Sequence, residues 1–212
     1  MSKIIGLSGI SGSGKSQLVT ALATKLNATC LVWDDFDDIS EGPTHYAKWY
    51  QSGANYDAWD YPKLAQALHL LKADHALMHP TLNFKLLPTN YIIFDSPLGR
   101  LHNQTGCFID VWFHITIPLD VALVRRTLRD FSSQNKTKDE LLEAMRFYLE
   151  STRPCFFDTV YRENADYVLD GMLPTEALVS QIISNLSFQS GYTRTSLFLG
   201  KAANERSPPR AY

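Results

Sequence analysis

The segment Gly9–Ser16 reads Gly-Ile-Ser-Gly-Ser-Gly-Lys-Ser and matches the phosphate-binding pattern G-x-x-x-x-G-K-[ST] at every fixed position. Its glycines allow the backbone to curl so that successive N–H groups point at one anion. In such a loop, Lys15 reaches the β- and γ-phosphates of a nucleotide, and the hydroxyl of Ser16 faces Mg²⁺. The sequence therefore predicts a nucleotide site formed by Gly9, Ser11, Gly12, Ser13, Gly14, Lys15, Ser16 and Gln17.

Carboxylates follow two of the predicted strands directly. Asp34 and Asp35 come after the second strand, and Asp95 comes after the third. In a parallel sheet, these positions share the edge that carries the phosphate loop. One such carboxylate can accept the proton of an attacking hydroxyl, and another can hold Mg²⁺ or its water. Asp37 and Asp38 lie further from the strand end, and we predict that they are solvated.

Three arginines lie on one predicted helix. At 100° per residue, Arg125, Arg126 and Arg129 occupy a single third of its circumference. Crowding like charges in this way is unfavourable, and a bound polyphosphate would relieve it. We therefore predict that this face contacts phosphates, with a solvated basic face as the alternative.

The segment of about residues 40–61 is rich in aromatic residues. Trp59 and Tyr61 flank Asp60 there, and their rings could stack on a planar ligand. The alternative is that this segment packs on the core as a lid. Arg100 and His102, which follow Asp95, are further candidates for contacts with a substrate.

Hydrophobic periodicity predicts strands that alternate with helices. Short apolar runs predict five strands, at Lys3–Ser8, Thr29–Trp33, Tyr91–Phe94, Ile109–Ile117 and Tyr167–Leu169. Helical spacing predicts a helix after the phosphate loop and further helices over residues 62–79, 118–131, 137–152 and 174–188. This alternation implies an α/β fold, a doubly wound parallel sheet of about five strands with helices on both faces.

Composition excludes several other classes of protein. The 212 residues carry a net charge of −2, which gives no electrostatic footprint for nucleic acid, and no apolar run is long enough to span a membrane. Three widely spaced cysteines favour a reducing, cytoplasmic location. We expect one domain over residues 1–189 and a partly disordered C-terminal tail over residues 190–212. The sequence leaves open whether the chain assembles with copies of itself.

Taken in order, these motifs resemble the uridine kinase family of P-loop nucleoside kinases over roughly residues 3–188. The resemblance lies in Gly9–Ser16, Asp34-Asp35-Phe36, Trp59-Asp60-Tyr61-Pro62 and Asp120…Arg125-Arg126…Arg129-Asp130. It implies that Asp34 is the general base for a ribose 5′-hydroxyl and that Asp60 holds ribose hydroxyls. It also implies a helical lid over about residues 125–153, in which Arg126 and Arg129 contact phosphates or substrate. Asp95 stands where the family usually has Glu, in the metal shell.

The expected activity is transfer of the γ-phosphoryl group of ATP, with Mg²⁺, to a hydroxyl of a small molecule. Ser16 and either Asp35 or Asp95 would hold the metal. The expected acceptor is a uridine- or cytidine-like nucleoside or a similar ribosyl compound. Two alternatives stay open: another alcohol of the wider superfamily (nicotinamide riboside, pantothenate or a sugar phosphate), or a nucleotide-binding regulatory module without catalysis.

Overall fold

A computed structural model describes residues 1–132 and 136–202, with side chains for residues 1–132 and 136–188. Its strands are β1 (Lys3–Gly9), β2 (Thr29–Val32), β3 (Leu77–Met78), β4 (Lys85–Leu86), β5 (Tyr91–Asp95), β6 (Val111–Thr116) and β7 (Tyr167–Asp170). Five of them form one parallel sheet in the order β2-β5-β1-β6-β7, while β3 and β4 form a separate antiparallel pair. The predicted five-stranded parallel sheet is confirmed.

Helices connect the strands on both faces of the sheet. They are α1 (Lys15–Leu26), α2 (Tyr46–Gln51), α3 (Pro62–Lys72), α4 (Asn103–Gly106), α5 (Leu119–Phe131), α6 (Lys138–Phe147), α7 (Thr159–Asn164) and α8 (Thr175–Ala202). Short 3₁₀ turns cover Trp33–Ile39, Tyr56–Ala58, Gly99–Leu101 and Arg153–Phe156, and one π-helical turn covers Tyr148–Thr152. A capping box opens α6, because the Thr137 hydroxyl accepts from the N–H of Glu140 and the Glu140 carboxylate accepts from the N–H of Thr137.

Two hydrophobic layers enclose the sheet, because β1 is apolar on both of its faces. One layer packs Ile5 and Leu7 against the buried faces of α1 and α8. The other packs Ile4 against α3 and the turn at Trp33–Ile39. The strand register aligns Leu7 with Asp95 and Gly9 with Ile115. The loops that follow β1, β2 and β5 therefore meet at one edge of the sheet.

Helix α3 is shorter than the predicted helix over residues 62–79, and that prediction is wrong beyond Lys72. Asp74 adopts a left-handed φ of 61°, and the N–H of His75 bonds to the carbonyl of Leu70. This is a Schellman motif, which ends a helix by satisfying its last carbonyl groups. The residues that follow form the β3–β4 hairpin, which the periodicity did not predict.

Helix α8 is longer than predicted. It continues to Ala202, beyond residue 188 where the apolar periodicity ends. No proline lies between Pro174 and Pro208, so nothing in the backbone forces the helix to stop. Residues 203–212 of the expected tail lie outside the described residues, as do residues 133–135 of the expected lid. Within the described parts of the chain, no helix is both long and apolar enough to cross a lipid bilayer.

Candidate active site

The loop between β1 and α1 has the backbone shape that a phosphate cradle needs. Gly12 and Gly14 have left-handed φ values of 92° and 90°. A Cβ at Gly12 would lie 2.2 Å from the carbonyl oxygen of Ala122, so only glycine fits there. The N-terminus of α1 has no side-chain cap and no acidic residue in its first turn. Its N–H groups and positive end are therefore available to an anion.

Buried polar groups in the same loop also fit a phosphate ligand. The Ser13 hydroxyl is buried, and no described residue hydrogen-bonds to it. Lys15 forms an ion pair with Asp95, which is only 4% exposed. Burial raises the pKa of Asp95, and the adjacent Lys15 ammonium opposes that rise. This pairing holds the ammonium beside the loop. The site thus presents N–H donors and a cation to a nucleotide phosphate.

The residues predicted to hold Mg²⁺ are distributed around this loop. Ser16 is exposed at the start of α1, and Asp95 is engaged by Lys15. Asp35 is partly buried, with His79 Nε2 3.8 Å from its Oδ2. Among the described residues, no three His, Cys, Asp or Glu side chains form a metal-binding group. The set fits Mg²⁺ that takes one or two protein ligands and completes its shell with phosphates and water, as this ion usually does.

A cavity of about 520 Å³ opens beside the phosphate loop, a size typical of small-molecule sites. Its wall combines the loop with carboxylates, aromatic rings and residues of α5, α6 and the turns that follow α6. The lining residues are Gly9, Ile10, Ser11, Trp33, Asp34, Asp37, Tyr46, Trp49, Trp59, Tyr61, Pro97, Leu98, His114, Arg126, Ala144, Phe147, Thr152, Cys155, Phe156 and Tyr161. The phosphate loop and Asp34 therefore border the same space.

The aromatic part of the wall is tightly connected. Trp33 and Tyr61 have ring centroids 4.1 Å apart, and Trp59 stacks on Tyr46 at 5.6 Å. Trp49 meets Trp59 edge to face at 6.1 Å. The Tyr61 hydroxyl donates a hydrogen bond to Asp37 Oδ1 over 2.6 Å. The rings thus support one another and place phenol and carboxylate groups at the cavity.

His102 is fully buried behind this wall and positions Trp59. Its Nε2 lies 2.9 Å from the Trp59 carbonyl oxygen, and its Nδ1 lies 2.8 Å from the Thr105 hydroxyl. A carbonyl can only accept, so Nε2 carries the proton and Nδ1 accepts from Thr105. Burial lowers the pKa of His102, which favours this neutral form. His102 does not line the cavity, and it reaches the cavity through Trp59.

The three predicted arginines occupy different environments. Arg129 Nη2 lies 3.4 Å from the Ser11 hydroxyl, and its Nε donates to Asp130. Arg126 lines the cavity, with its guanidinium 5.6 Å from the Tyr148 ring centroid and 5.1 Å from that of Phe156. Arg125 donates instead to the carbonyl of Gly171. Arg126 and Arg129 are therefore next to the phosphate loop.

Two predicted substrate contacts lie away from the cavity lining. Asp60 is exposed, and its Oδ1 accepts from the Gln104 side chain. Arg100 forms a bidentate ion pair with Asp166 and also donates to the carbonyls of Ile109 and Asp110. Gln17 is exposed on α1. The structure thus brings together the loop, Asp34, Trp59, Tyr61 and Arg126 at the cavity, but not Asp60 or Arg100.

Sequence reasoning missed a carboxylate and a histidine of the lining, Asp37 and His114. Asp37 faces the cavity because Asp34 and Asp37 are three residues apart in a 3₁₀ turn, where positions i and i+3 are superimposed. The three-residue spacing could have predicted that Asp34 and Asp37 share one side of the turn. His114 lies in β6, and its Nδ1 and Nε2 contact the Ser8 hydroxyl and Asp158. Burial lowers its pKa. A lone histidine in an apolar strand gives no indication in the sequence that it lines a cavity.

Comparison with known proteins finds relatives that are named uridine kinase. No protein-family model matches the chain. The uridine kinase of Borrelia duttonii (strain Ly) is 28% identical over 181 residues, which cover 80% of this chain and 86% of that protein. The uridine kinase of Tolumonas auensis is 28% identical over 186 residues, which cover 78% of this chain and 85% of that protein.

A solved structure supports the fold. It is a protein assigned as a fructose transport system kinase from Silicibacter sp. TM1040, with a TM-score of 0.51 and 16% identity over 79% of this chain and 89% of that one. At this identity the likeness bears on the fold alone. The uridine kinases give further evidence of relationship, because their sequence similarity to this chain extends over most of both chains. The chain is therefore similar to the uridine kinases over most of its length, and it has an α/β fold that carries a P-loop.

Proposed function

We propose that this protein uses ATP and Mg²⁺ to phosphorylate a hydroxyl of a nucleoside or a nucleoside-like ribosyl compound. The observation that carries this proposal is the shared cavity, which Gly9, Ile10 and Ser11 border at one side and Asp34 and Trp59 at the other. A phosphate held by the loop and a ring held by the aromatic wall would meet in one space. The similarity to proteins named uridine kinase supports the same reading.

Residues of the phosphate loop would hold the donor. Lys15 and the loop N–H groups neutralise and orient the β- and γ-phosphates, and Ser16 with Asp35 or Asp95 holds Mg²⁺. Bound Mg²⁺-ATP supplies the phosphoryl group and its charge compensation. Lys15 is paired with Asp95 when no nucleotide is bound, and a bound phosphate would take the place of Asp95. The ammonium would stay paired with an anion in both states.

Asp34 would activate the acceptor. Its carboxylate lies on the cavity wall and is exposed to that space, so it can accept the proton of a bound hydroxyl. As that proton passes to Asp34, the hydroxyl oxygen forms a bond to the γ-phosphorus, and the bond from this phosphorus to the leaving oxygen of the donor breaks. The step thus transfers one phosphoryl group to the acceptor and one proton to Asp34, with no covalent enzyme intermediate.

Lid residues would stabilise the transferring group. Arg126 borders the cavity, and Arg129 approaches Ser11 of the loop, so both guanidinium groups lie at the phosphate end. Fixed cations at this position stabilise charge that develops in the transition state. Phe156 and Tyr148 hold Arg126 from the lid side and help to exclude water from the cavity.

A coupled assay of ADP release tests the proposal. Mg²⁺-ATP is presented with uridine, cytidine and other ribosyl compounds, and binding is followed in parallel by thermal shift. We expect Asp34→Asn to lower kcat by at least about 100-fold while Mg²⁺-ATP still raises the melting temperature. Asp38→Asn is the matched control, since this exposed carboxylate of the same turn does not line the cavity.

Three results would contradict the proposal in whole or in part. Turnover that survives in Asp34→Asn would remove the proposed base. Stabilisation by Mg²⁺-ATP without ADP release for any hydroxylated compound would instead favour a nucleotide-binding module. Turnover with a pantothenate- or sugar-type alcohol alone would keep the kinase and overturn the nucleoside acceptor.

A further inference from the structure

We propose that the acceptor is a hydroxylated organic cation, a planar ring bearing a quaternary nitrogen, and that Asp37 is the residue that selects its charge. This inference rests on the proposed function, because it names the substrate class of the same cavity. Three observations carry it: the aromatic wall, the carboxylates beside that wall, and the contacts of Arg126, the one guanidinium among the described lining residues, with rings outside that wall.

The aromatic wall has the composition of a cation-binding box. Trp33, Trp49 and Trp59 line the cavity, together with Tyr46 and Tyr61. The rings meet both edge to face and face to face, so they form adjoining walls and not a single stacking surface. The electron-rich faces of tryptophan and tyrosine attract a desolvated cation, and such cages are the usual way in which proteins recognise quaternary ammonium groups.

Negative charge in this box has no described counter-ion. Asp34 and Asp37 both line the cavity, and among the described residues no Lys, Arg or His nitrogen lies within 4.0 Å of either carboxylate. Burial raises the pKa of Asp37, the hydrogen bond from Tyr61 opposes that rise, and the neighbouring charges that act on it are all carboxylates. A cation bound between the rings would supply the missing charge.

Asp37 is also held in place for this role. The Tyr61 hydroxyl donates to its Oδ1 over 2.6 Å, and Tyr61 itself is 4% exposed and packs on Trp33. Asp37 is exposed to solvent, as Asp38 is, but its hydrogen bond to Tyr61 ties the carboxylate to the aromatic wall. Its charge therefore has a defined position relative to the rings.

Among the described residues that line the cavity, Arg126 is the one Lys or Arg. Arg126 contacts the rings of Tyr148 and Phe156 in the lid, and it borders a small adjoining cavity together with Ile10 and Ser11 of the phosphate loop. The guanidinium of Arg126 is thus engaged by the rings of Tyr148 and Phe156, whereas Asp37 is hydrogen-bonded to Tyr61 of the aromatic wall. A neutral ring would gain stacking from this wall, but it would leave the second carboxylate, Asp37, without a counter-ion.

A binding experiment separates charge from shape without requiring turnover. The probes are 1-methylnicotinamide, a pyridinium cation, and neutral nicotinamide, which differs by one methyl group and the charge. Saturable quenching of tryptophan fluorescence reports on the box, because three of the four tryptophans line the cavity. We expect the cation to bind at least five times more tightly, and Asp37→Asn to reduce that preference to less than twofold. Asp38→Asn should leave the preference unchanged.

A turnover experiment then tests the acceptor itself. Nicotinamide riboside and its reduced, uncharged dihydro form carry the same ribose and nearly the same ring, so they differ mainly in charge. With Mg²⁺-ATP, we expect kcat/KM to favour the cation by at least tenfold. Asp37→Asn should lower that ratio about tenfold through KM of the charged acceptor, whereas Asp38→Asn should keep the ratio within twofold.

The outcomes distinguish this inference from the function on which it rests. Equal or better use of the neutral partner by the unaltered protein overturns the charge selection, while the kinase stands on its ADP release. A preference that survives Asp37→Asn overturns the role of Asp37. Selective binding of the cation without ADP release from any acceptor supports the cation box and contradicts the kinase.

Discussion

Replacing Arg100 with methionine is expected to destabilise the fold and to leave the chemistry nearly intact. The guanidinium makes hydrogen bonds of 2.9 and 2.7 Å to the two oxygens of Asp166, and bonds of 3.0 and 3.2 Å to the carbonyls of Asp110 and Ile109. Asp166 also accepts from the N–H of Trp112. Arg100 thus joins the turn after β5 to the beginnings of β6 and β7, away from the cavity lining.

The magnitude follows from this geometry. Hydrogen bonds to charged groups contribute about 1.5–3 kcal/mol each when buried, and exposed ion pairs contribute about 0–1 kcal/mol. The side chains of Arg100 and Asp166 are 32% and 33% exposed, so the pair lies between these limits. We expect a loss of about 2–3 kcal/mol in the free energy of unfolding. For a domain of this size, that corresponds to a melting temperature lower by about 5–10 °C.

Methionine keeps the apolar stem of the side chain, so the loss reports on the guanidinium. Urea unfolding and thermal melts measure the stability, and ADP release below the melting temperature should show KM for the acceptor within about threefold of the unaltered protein. Arg146→Met, on the exposed surface of α6, should change stability by less than about 0.5 kcal/mol. A stable Arg100→Met protein with KM raised tenfold or more would refute this reasoning and make Arg100 a substrate contact.

Two further predictions concern the loop and the buried histidines. Gly12→Ala should abolish stabilisation by Mg²⁺-ATP in a thermal-shift assay, because its Cβ would meet the Ala122 carbonyl. Gly53→Ala, with φ of 98° and nothing within 4 Å, should cost only about 1–2 kcal/mol and keep the nucleotide response. Burial lowers the pKa values of His79, His102 and His114 below 6.5, so the folded state binds fewer protons than the unfolded chain. The free energy of unfolding should therefore fall as pH drops below about 6.5, by up to about 1.4 kcal/mol per pH unit for each histidine. Urea titrations of His114→Phe at several pH values should show a slope of this free energy against pH that is smaller by about that amount. An unchanged slope would contradict the lowered pKa of His114.

Local signals account for the parts of the site that were predictable. The phosphate loop is contiguous, and its glycine, lysine and serine positions are required by the phosphate chemistry, so one segment specifies both its shape and its ligands. Alternating strands and helices fix a parallel sheet, and parallel strands bring Asp34 and Asp95 to the edge that carries the loop. For that reason, the pairing of Lys15 with Asp95 follows from sequence order and topology together.

Other features depend on contacts between segments that are distant in the chain. The periodicity of residues 62–79 does not contain the Schellman motif that ends α3, because Asp74 adopts a left-handed φ without glycine. Arg100 and Asp60 have residue types suited to substrate binding, but Asp166 and Gln104 engage them. Those partners lie 66 and 44 residues away, so only the folded chain shows which polar side chains are already satisfied.

Periodicity and one contiguous motif were sufficient to predict the fold class and the phosphate loop. Which aromatic and acidic side chains share the cavity beside that loop depends on the tertiary structure. Asp37 and Tyr61 meet across 24 residues, and His102 reaches Trp59 across 43. A cavity is formed by the packing of separate segments, and its charge depends on which side chains lack a partner there, so both properties belong to the folded chain.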